Sequence, residues 1–103
     1  MKKYVYLEKE DGLIIAHHMT TTNRQEVKEK TGACIDNIYS LELIEKVKLW
    51  LSKYKYNLFC EDGHALFVHE YNKVHYIESF VEFRNIVSEY RERWKHGYKL
   101  NST

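Results

Sequence analysis

A chain of 103 residues has room for one domain built on one hydrophobic core, without staples. Sixteen Lys and Arg against fifteen Asp and Glu nearly cancel, so the basic balance of most nucleic-acid-binding domains is missing. An apolar share of 44% excludes a disordered tail, and no apolar run nears the ~20 residues of a membrane-spanning helix.

The opening "MKKYVYLEKEDG" lacks the apolar centre of a signal peptide, which leads us to expect a cytoplasmic protein with no membrane partner. Cys34 and Cys60 have no CxxC spacing and are expected as free, buried small residues. Twelve lysines against four arginines, with frequent Tyr, Asn and Ile, suggest an AT-rich genome, that of a low-GC bacterium or its phage.

In chain order, "KYVYLEKEDGLIIAHHM" predicts two strands joined by an Asp11-Gly12 hairpin turn, because Asp-Gly supplies the positive backbone angles such a turn needs. Thr22 with Gln25 predicts a capping box, and Gly32 a left-handed stop after a short helix. In "SLELIEKVKLWLSKY", Leu43, Ile44, Val47, Trp50, Leu51 and Tyr54 form one stripe at about 100° per residue, the signature of an amphipathic helix. Next, "YNLFCEDGHALFVHEY" predicts a second hairpin at Asp62-Gly63, and Asn72-Lys73 a turn into a third strand, "VHYIE". A last helix runs from a Ser79–Glu82 capping box to Gly97, with Phe80, Phe83, Val87, Tyr90 and Trp94 as its buried stripe. The expected fold is a single α+β domain over residues 1–103, in the order ββ-α-α-βββ-α. Its sheet holds two Asp-Gly hairpins and a third strand, packed by amphipathic helices.

The two "EDG" turns, each with a histidine six residues after the glycine, fit an old duplication or shared turn chemistry. The registers place Val5, Leu7, Ile14 and Ala16 on one face of the first hairpin and Tyr4, Tyr6, Ile15 and Met19 on the other. In the second, Leu58, Ala65 and Phe67 oppose Phe59, Leu66 and Val68. Three helices are too few to cover two such faces. Either tyrosines tolerate solvent there, or the second face is buried against another copy in a homodimer.

The stretch "QEVKEKTGACIDNIYSLE" has Val27, Gly32, Ile38 and Leu41 at the framework positions of a helix-turn-helix. It resembles repressors of the Cro type over about twenty residues. With the preceding hairpin, residues 3–43 resemble nuclease-associated modular domains, in which a hairpin leads into a helix pair. The resemblance implies a DNA-reading second helix. The sequence departs from the pattern at Lys28, where the family carries a small alanine, and at Thr31, where it carries an aliphatic residue.

The reading positions of that helix would be Cys34, Ile35, Asp36, Asn37, Tyr39 and Ser40. Asn37 can read adenine, but Asp36 repels phosphates and no Lys or Arg lies between Lys30 and Lys46. This chemistry fits a protein partner better, with weak DNA binding at most through Arg24, Lys28 and Lys30.

On the last helix Arg84, Arg91 and Lys95 line one side of the apolar stripe as a basic edge for phosphates or carboxylates. On the middle helix, Leu49 points away from the stripe as an exposed contact. The expected partner-binding set is therefore Ile35, Asp36, Asn37, Tyr39, Leu49, Arg84, Arg91 and Lys95.

Five histidines fall in the strand regions, yet with an Asn72-Lys73 turn His75 pairs with Glu70 while His69 points to the other face. Cross-strand pairing is expected, with no metal and no cofactor. "RERWKH" matches the Arg-x4-His spacing of one group of helical ribonucleases, but on a straight helix Arg91 and His96 stand about 140° apart. No Gly-rich phosphate loop or nucleophile elbow accompanies it.

The sequence therefore points to a non-enzymatic binding protein of phage or mobile-element type. It would regulate or inhibit a host protein or protein–nucleic acid complex, in the manner of anti-defence proteins. The alternative is a helix-turn-helix transcription regulator.

Overall fold

The computed structural model describes residues 1–95 in an α+β fold; the side chains of Trp94 and Lys95, and residues 96–103 with His96 and Gly97, lie outside what it describes. Strands β1 (Lys2–Glu10) and β2 (Leu13–Thr21) form the expected hairpin. Asp11 and Gly12 both take positive φ, at 50° and 80°, which lets a two-residue turn follow the twist of its strands. The register pairs Leu7 with Ala16 and Tyr6 with His17, so the two expected faces are correct.

One face is covered within the chain and the other is partly covered. Val5, Leu7, Ile14 and Ala16 face the main core with Ile44, Val47, Phe83 and Val87. These last four come from α2 (Leu41–Ser52) and α3 (Phe80–Lys95). On the opposite face Tyr4 is buried in a second, smaller core with Val27 and Ile38, and Tyr6 and Met19 pack against it. Val27 belongs to α1 (Arg24–Thr31), the helix that the expected one-sided arrangement had not placed there.

Helix α1 begins one residue later than its sequence suggested. Asn23, not Thr22, is the N-cap, and its Oδ1 accepts from the Glu26 N–H at 2.9 Å. Gly32 ends the helix in the left-handed conformation, as expected. Ser40 caps α2 by accepting from the Leu43 N–H at 3.1 Å, and Ser79 accepts from the Glu82 N–H at 3.1 Å.

The second helix of a helix-turn-helix does not form after Gly32. Residues Ile35–Asn37 make a single 3-10 turn, and Ile38–Ser40 form β3, which pairs with the open edge of β1. The apolar spacing of three from Ile35 to Ile38 to Leu41 looks helical. The burial beneath it has a period of two. Ile38 enters the small core and its neighbour Tyr39 enters the main one. A strand also satisfies backbone groups on β1 that a helix would leave unpaired.

The Asp62-Gly63 hairpin is likewise corrected. β4 (Asn57–Phe59) pairs with β6 (Phe67–Glu70), and the chain between them swings across to the first sheet. There β5 (His64–Ala65) pairs with β2, anchored by Gly63 N–H to Ala16 O and Leu66 N–H to Ile14 O, both 2.8 Å. Asp62 Oδ1 accepts from the His18 N–H at 2.8 Å. Gly63 takes a positive φ of 77° but Asp62 does not, and the flanking runs pair with other strands.

Finally, β7 (Lys73–Tyr76) closes on β6 through Tyr71-Asn72, one residue earlier than expected. His75 therefore opposes Val68, not Glu70, and His69 opposes Val74, not Tyr76. The sheets run β3-β1-β2-β5 and β4-β6-β7.

Two acidic groups carry a pH signature. The hydroxyls of Thr21 and Thr22, with Lys30, hold the Glu26 carboxyl down at about 2. Burial pushes Glu82 up, but the Glu78 N–H and the His75 ring outweigh it and hold that carboxyl below its usual range. A carboxyl so depressed adds stability above its ordinary pKa and loses it as pH falls toward the folded value. For Glu26 that window runs from 4.5 down to about 2. Across it, the urea midpoint of Glu26→Gln should fall less steeply than that of the parent. Equal slopes in the two proteins would remove Glu26 as a source of acid sensitivity.

Candidate functional site: an arginine-lined cleft

Spacing on α3 sets the first wall of the site. Arg84, Ser88 and Arg91 stand at i, i+4 and i+7, so they share a helix face spanning about 10 Å. Beside them Phe83, Val87 and Tyr90 are buried and hold that helix on the core. The opposite wall comes from the 3-10 turn and β3, which bring Asp36, Ile38 and Tyr39 to the same cleft, while α1 contributes Arg24. The cleft has a volume of about 230 Å³.

Arg24 fastens the second wall. Its Nε donates to Ile38 O at 3.1 Å and its Nη2 to Ile35 O at 2.6 Å, tying the turn to α1. Asn37 is buried, and its Oδ1 accepts from Arg84 Nη2 at 3.1 Å. That bond aims the guanidinium and leaves Arg84 Nε buried without a partner. Tyr39 is 5% exposed; the Arg84 guanidinium lies in hydrogen-bond reach of its buried hydroxyl, whose own proton has no acceptor. Burial pushes the Tyr39 phenol up from its ordinary value, against the opposing pull of the Arg84 and Arg91 charges. The phenol therefore stays a neutral donor near pH 7.

Two buried donors without acceptors, flanked by cations, describe a site shaped for an anion. Three of the chain's four arginines line it, against the single carboxylate of Asp36, which is exposed at the rim.

Of the residues expected to bind a partner, Asp36, Tyr39, Arg84 and Arg91 line this cleft. Asn37 supports it from below through Arg84, and so is no surface contact. Ile35 is half-buried against the small core and offers its carbonyl to Arg24. Leu49 is 65% exposed on α2 and is not among the lining residues. The Lys95 side chain lies outside the described residues. Sequence reasoning gave Arg24 only a weak DNA contact. No local spacing in the sequence signals its place, because its bonds run to Ile35 and Ile38.

The histidines are engaged separately. His17 stacks on Tyr6 with ring centroids 5.1 Å apart, His18 Nε2 lies 3.1 Å from Cys60 O, and His75 pairs with Glu82. Among the described residues no group of three or more His, Cys, Asp or Glu is placed to hold a metal. Cys60 is buried with its thiol pushed up to about 12, which makes it inert, whereas Cys34 is exposed, contrary to expectation. A second, more apolar groove of about 660 Å³ lies between β6–β7 and the helices, lined by Leu51, Tyr56, Val68, Val74 and Ile86 with Glu70, Lys73 and His75. No helix among the described residues is long and apolar enough to cross a membrane.

No family model matches the chain, no curated protein matches it, and no solved structure matches it.

The Tyr39 hydroxyl, with no acceptor for its proton, yields a test of the empty site. A buried donor without an acceptor costs roughly 1–3 kcal/mol of desolvation. Tyr39→Phe keeps the ring and removes that cost, so chemical unfolding should show a gain of about 1 kcal/mol. A clear loss of stability would mean that the hydroxyl proton already has an acceptor in the free protein.

Proposed function

We propose that this chain is a non-enzymatic binding protein that receives an acidic group of a protein partner in the Arg24–Arg84–Arg91 cleft. The observation that carries this reading is the convergence of three arginines on two buried, unsatisfied donors, Tyr39 Oη and Arg84 Nε. Arginine stays charged throughout the physiological range, so these groups hold an anion and do not exchange protons with it. The regulator or inhibitor of a host machine, of phage or mobile-element type, remains our proposal for the biological setting on grounds of size and composition.

The alternative of a DNA-reading regulator draws less support. Residues 35–40 present a turn and a short strand where a reading helix would have to stand, and Asp36 is exposed among them. Weak, salt-sensitive contact with duplex DNA is the most this surface supports.

The reading is tested by affinity capture from a low-GC bacterial lysate, with and without nuclease. A discrete protein partner should be retained in both conditions and lost with Arg91→Glu. Retention that nuclease abolishes would favour the DNA-binding alternative.

A homodimer also belongs to this proposal, on the sheet that holds Phe59 and Phe67 of the expected second hairpin. The outer face of the first hairpin is partly covered by α1, but that of β4-β6-β7 carries a row of rings. Phe59 stacks on Phe67 at 4.7 Å and Phe67 leans on Tyr76 at 5.4 Å, with Val74 beside them and β7 at the sheet edge. Tyr76 and Val74 are 44% and 48% exposed. Such a row suits a two-fold contact with a second copy. Sedimentation at high micromolar concentration should show a dimer that Tyr76→Lys dissociates. A strict monomer would leave these rings as ordinary surface.

A further inference from the structure

We propose that the group taken by the arginine cleft is a phosphate monoester on a protein, such as a phosphorylated serine or threonine side chain. This rests on the binding function proposed above and adds the ligand's chemistry to it. Two observations favour phosphate over carboxylate, and a third favours a protein as its carrier.

The first is charge. Three arginines and one aspartate leave the cleft with a net charge of +2 (three minus one), the complement of a monoester at about −1.5 to −2 near pH 7. A carboxylate would neutralise half of it.

The second is donor geometry. A carboxylate is planar, and one guanidinium fork satisfies it. Here the polar residues that line the cleft come from separate elements: Tyr39 from β3, Arg84 from one turn of α3, and Ser88 and Arg91 from later turns. Three terminal oxygens on a tetrahedral centre can accept from all of them.

The third is size. A volume of about 230 Å³ falls below the ~300–1,000 Å³ of pockets that enclose whole small molecules, so the cleft fits a head group presented by something larger. A protein is favoured over a nucleic acid because exposed Asp36 at the rim would repel neighbouring backbone phosphates, and the chain's net charge is only +1.

Arg24 holds the wall through its bonds to Ile35 and Ile38 and adds charge at the rim. Asn37 is a positioning residue that acts through Arg84. Because Asp36 opposes the dianion, Asp36→Asn should tighten binding.

The test is calorimetric titration of the full chain with a neutral-flanked peptide carrying phosphoserine, the same peptide with Glu, the same peptide with Ser, and a 5′-phosphorylated oligonucleotide. The phosphopeptide is expected to bind at least ten-fold tighter than the Glu peptide, with the Ser peptide weakest. Its affinity should rise from pH 5 to 7 as the second phosphate proton leaves, with pKa about 6. Arg91→Gln and Tyr39→Phe should each lower it five-fold or more, and the distant Lys53→Gln should leave it unchanged. Arg91 is exposed and Tyr39→Phe conserves the core ring, so neither result depends on a variant that fails to fold. Glu and phosphoserine peptides binding equally would overturn the phosphate assignment and leave the acidic-partner reading standing. Tighter binding of the oligonucleotide would overturn the protein source. No binding by any probe would overturn both the assignment and the reading beneath it.

Discussion

The β1–β2 hairpin is apolar on both faces, and the rest of the chain is arranged to cover it. Val5, Leu7, Ile14 and Ala16 demand cover on one side, and Tyr4 with Tyr6 on the other. Burying an aliphatic side chain is worth roughly 1.5–3 kcal/mol, so leaving either face wet would cost several times that. Helices α2 and α3 close the first side and α1 partly covers the second. Strand β3 joins the two, since Ile38 and Tyr39 are consecutive and lie in different cores. The short strand is the seam of the fold.

The cleft follows from that seam. A three-residue strand flanked by a 3-10 turn has little backbone bonding of its own, and Arg24 supplies more by reaching two carbonyls of the segment. Helix α3 must lie against the core through Phe83, Val87 and Tyr90, which sets the adjacent face, with Arg84, Ser88 and Arg91, opposite β3. The gap between helix and strand is therefore framed by elements that are fixed for other reasons. A site on such a frame is preorganised, so less ordering accompanies binding.

What the sequence showed, and what it hid, divides along the range of the interactions. The first hairpin was legible because Asp11-Gly12 specifies its own turn and register within a few residues. The stripes of α2 and α3 and the start of α3 were legible for the same reason: the apolar spacing and Ser79 act locally. The segment Ile35–Ser40 was misread because spacing of three fits a helix, while its true partners are the distant edge of β1 and two cores. Asp62-Gly63 was misread because a turn does not state which strand its flanks will join; β2 claimed β5. The site divides likewise. Arg84 and Arg91 came from helical periodicity, whereas Asp36 and Tyr39 were chosen as points on a helix that does not form, yet reach the cleft by another route. Arg24 escaped notice because its role depends on carbonyls eleven and fourteen residues away.

Tyr39 shows most clearly what supports the anion site we propose. Its ring meets Phe83 edge-on, with centroids 5.3 Å apart, and fills the core beside Val5 on the neighbouring strand. Phenylalanine would make the same contact without burying an oxygen. The hydroxyl adds nothing to that ring packing, and its proton without an acceptor works against stability. Asn37 shows the same logic from the other side: its buried amide engages one nitrogen of Arg84 and leaves Nε facing a gap. These two donors lie where three cations converge, and an acceptor entering the cleft would satisfy both at once. The energetic deficit of these donors and the anion binding we propose for them are therefore one property of the same few atoms.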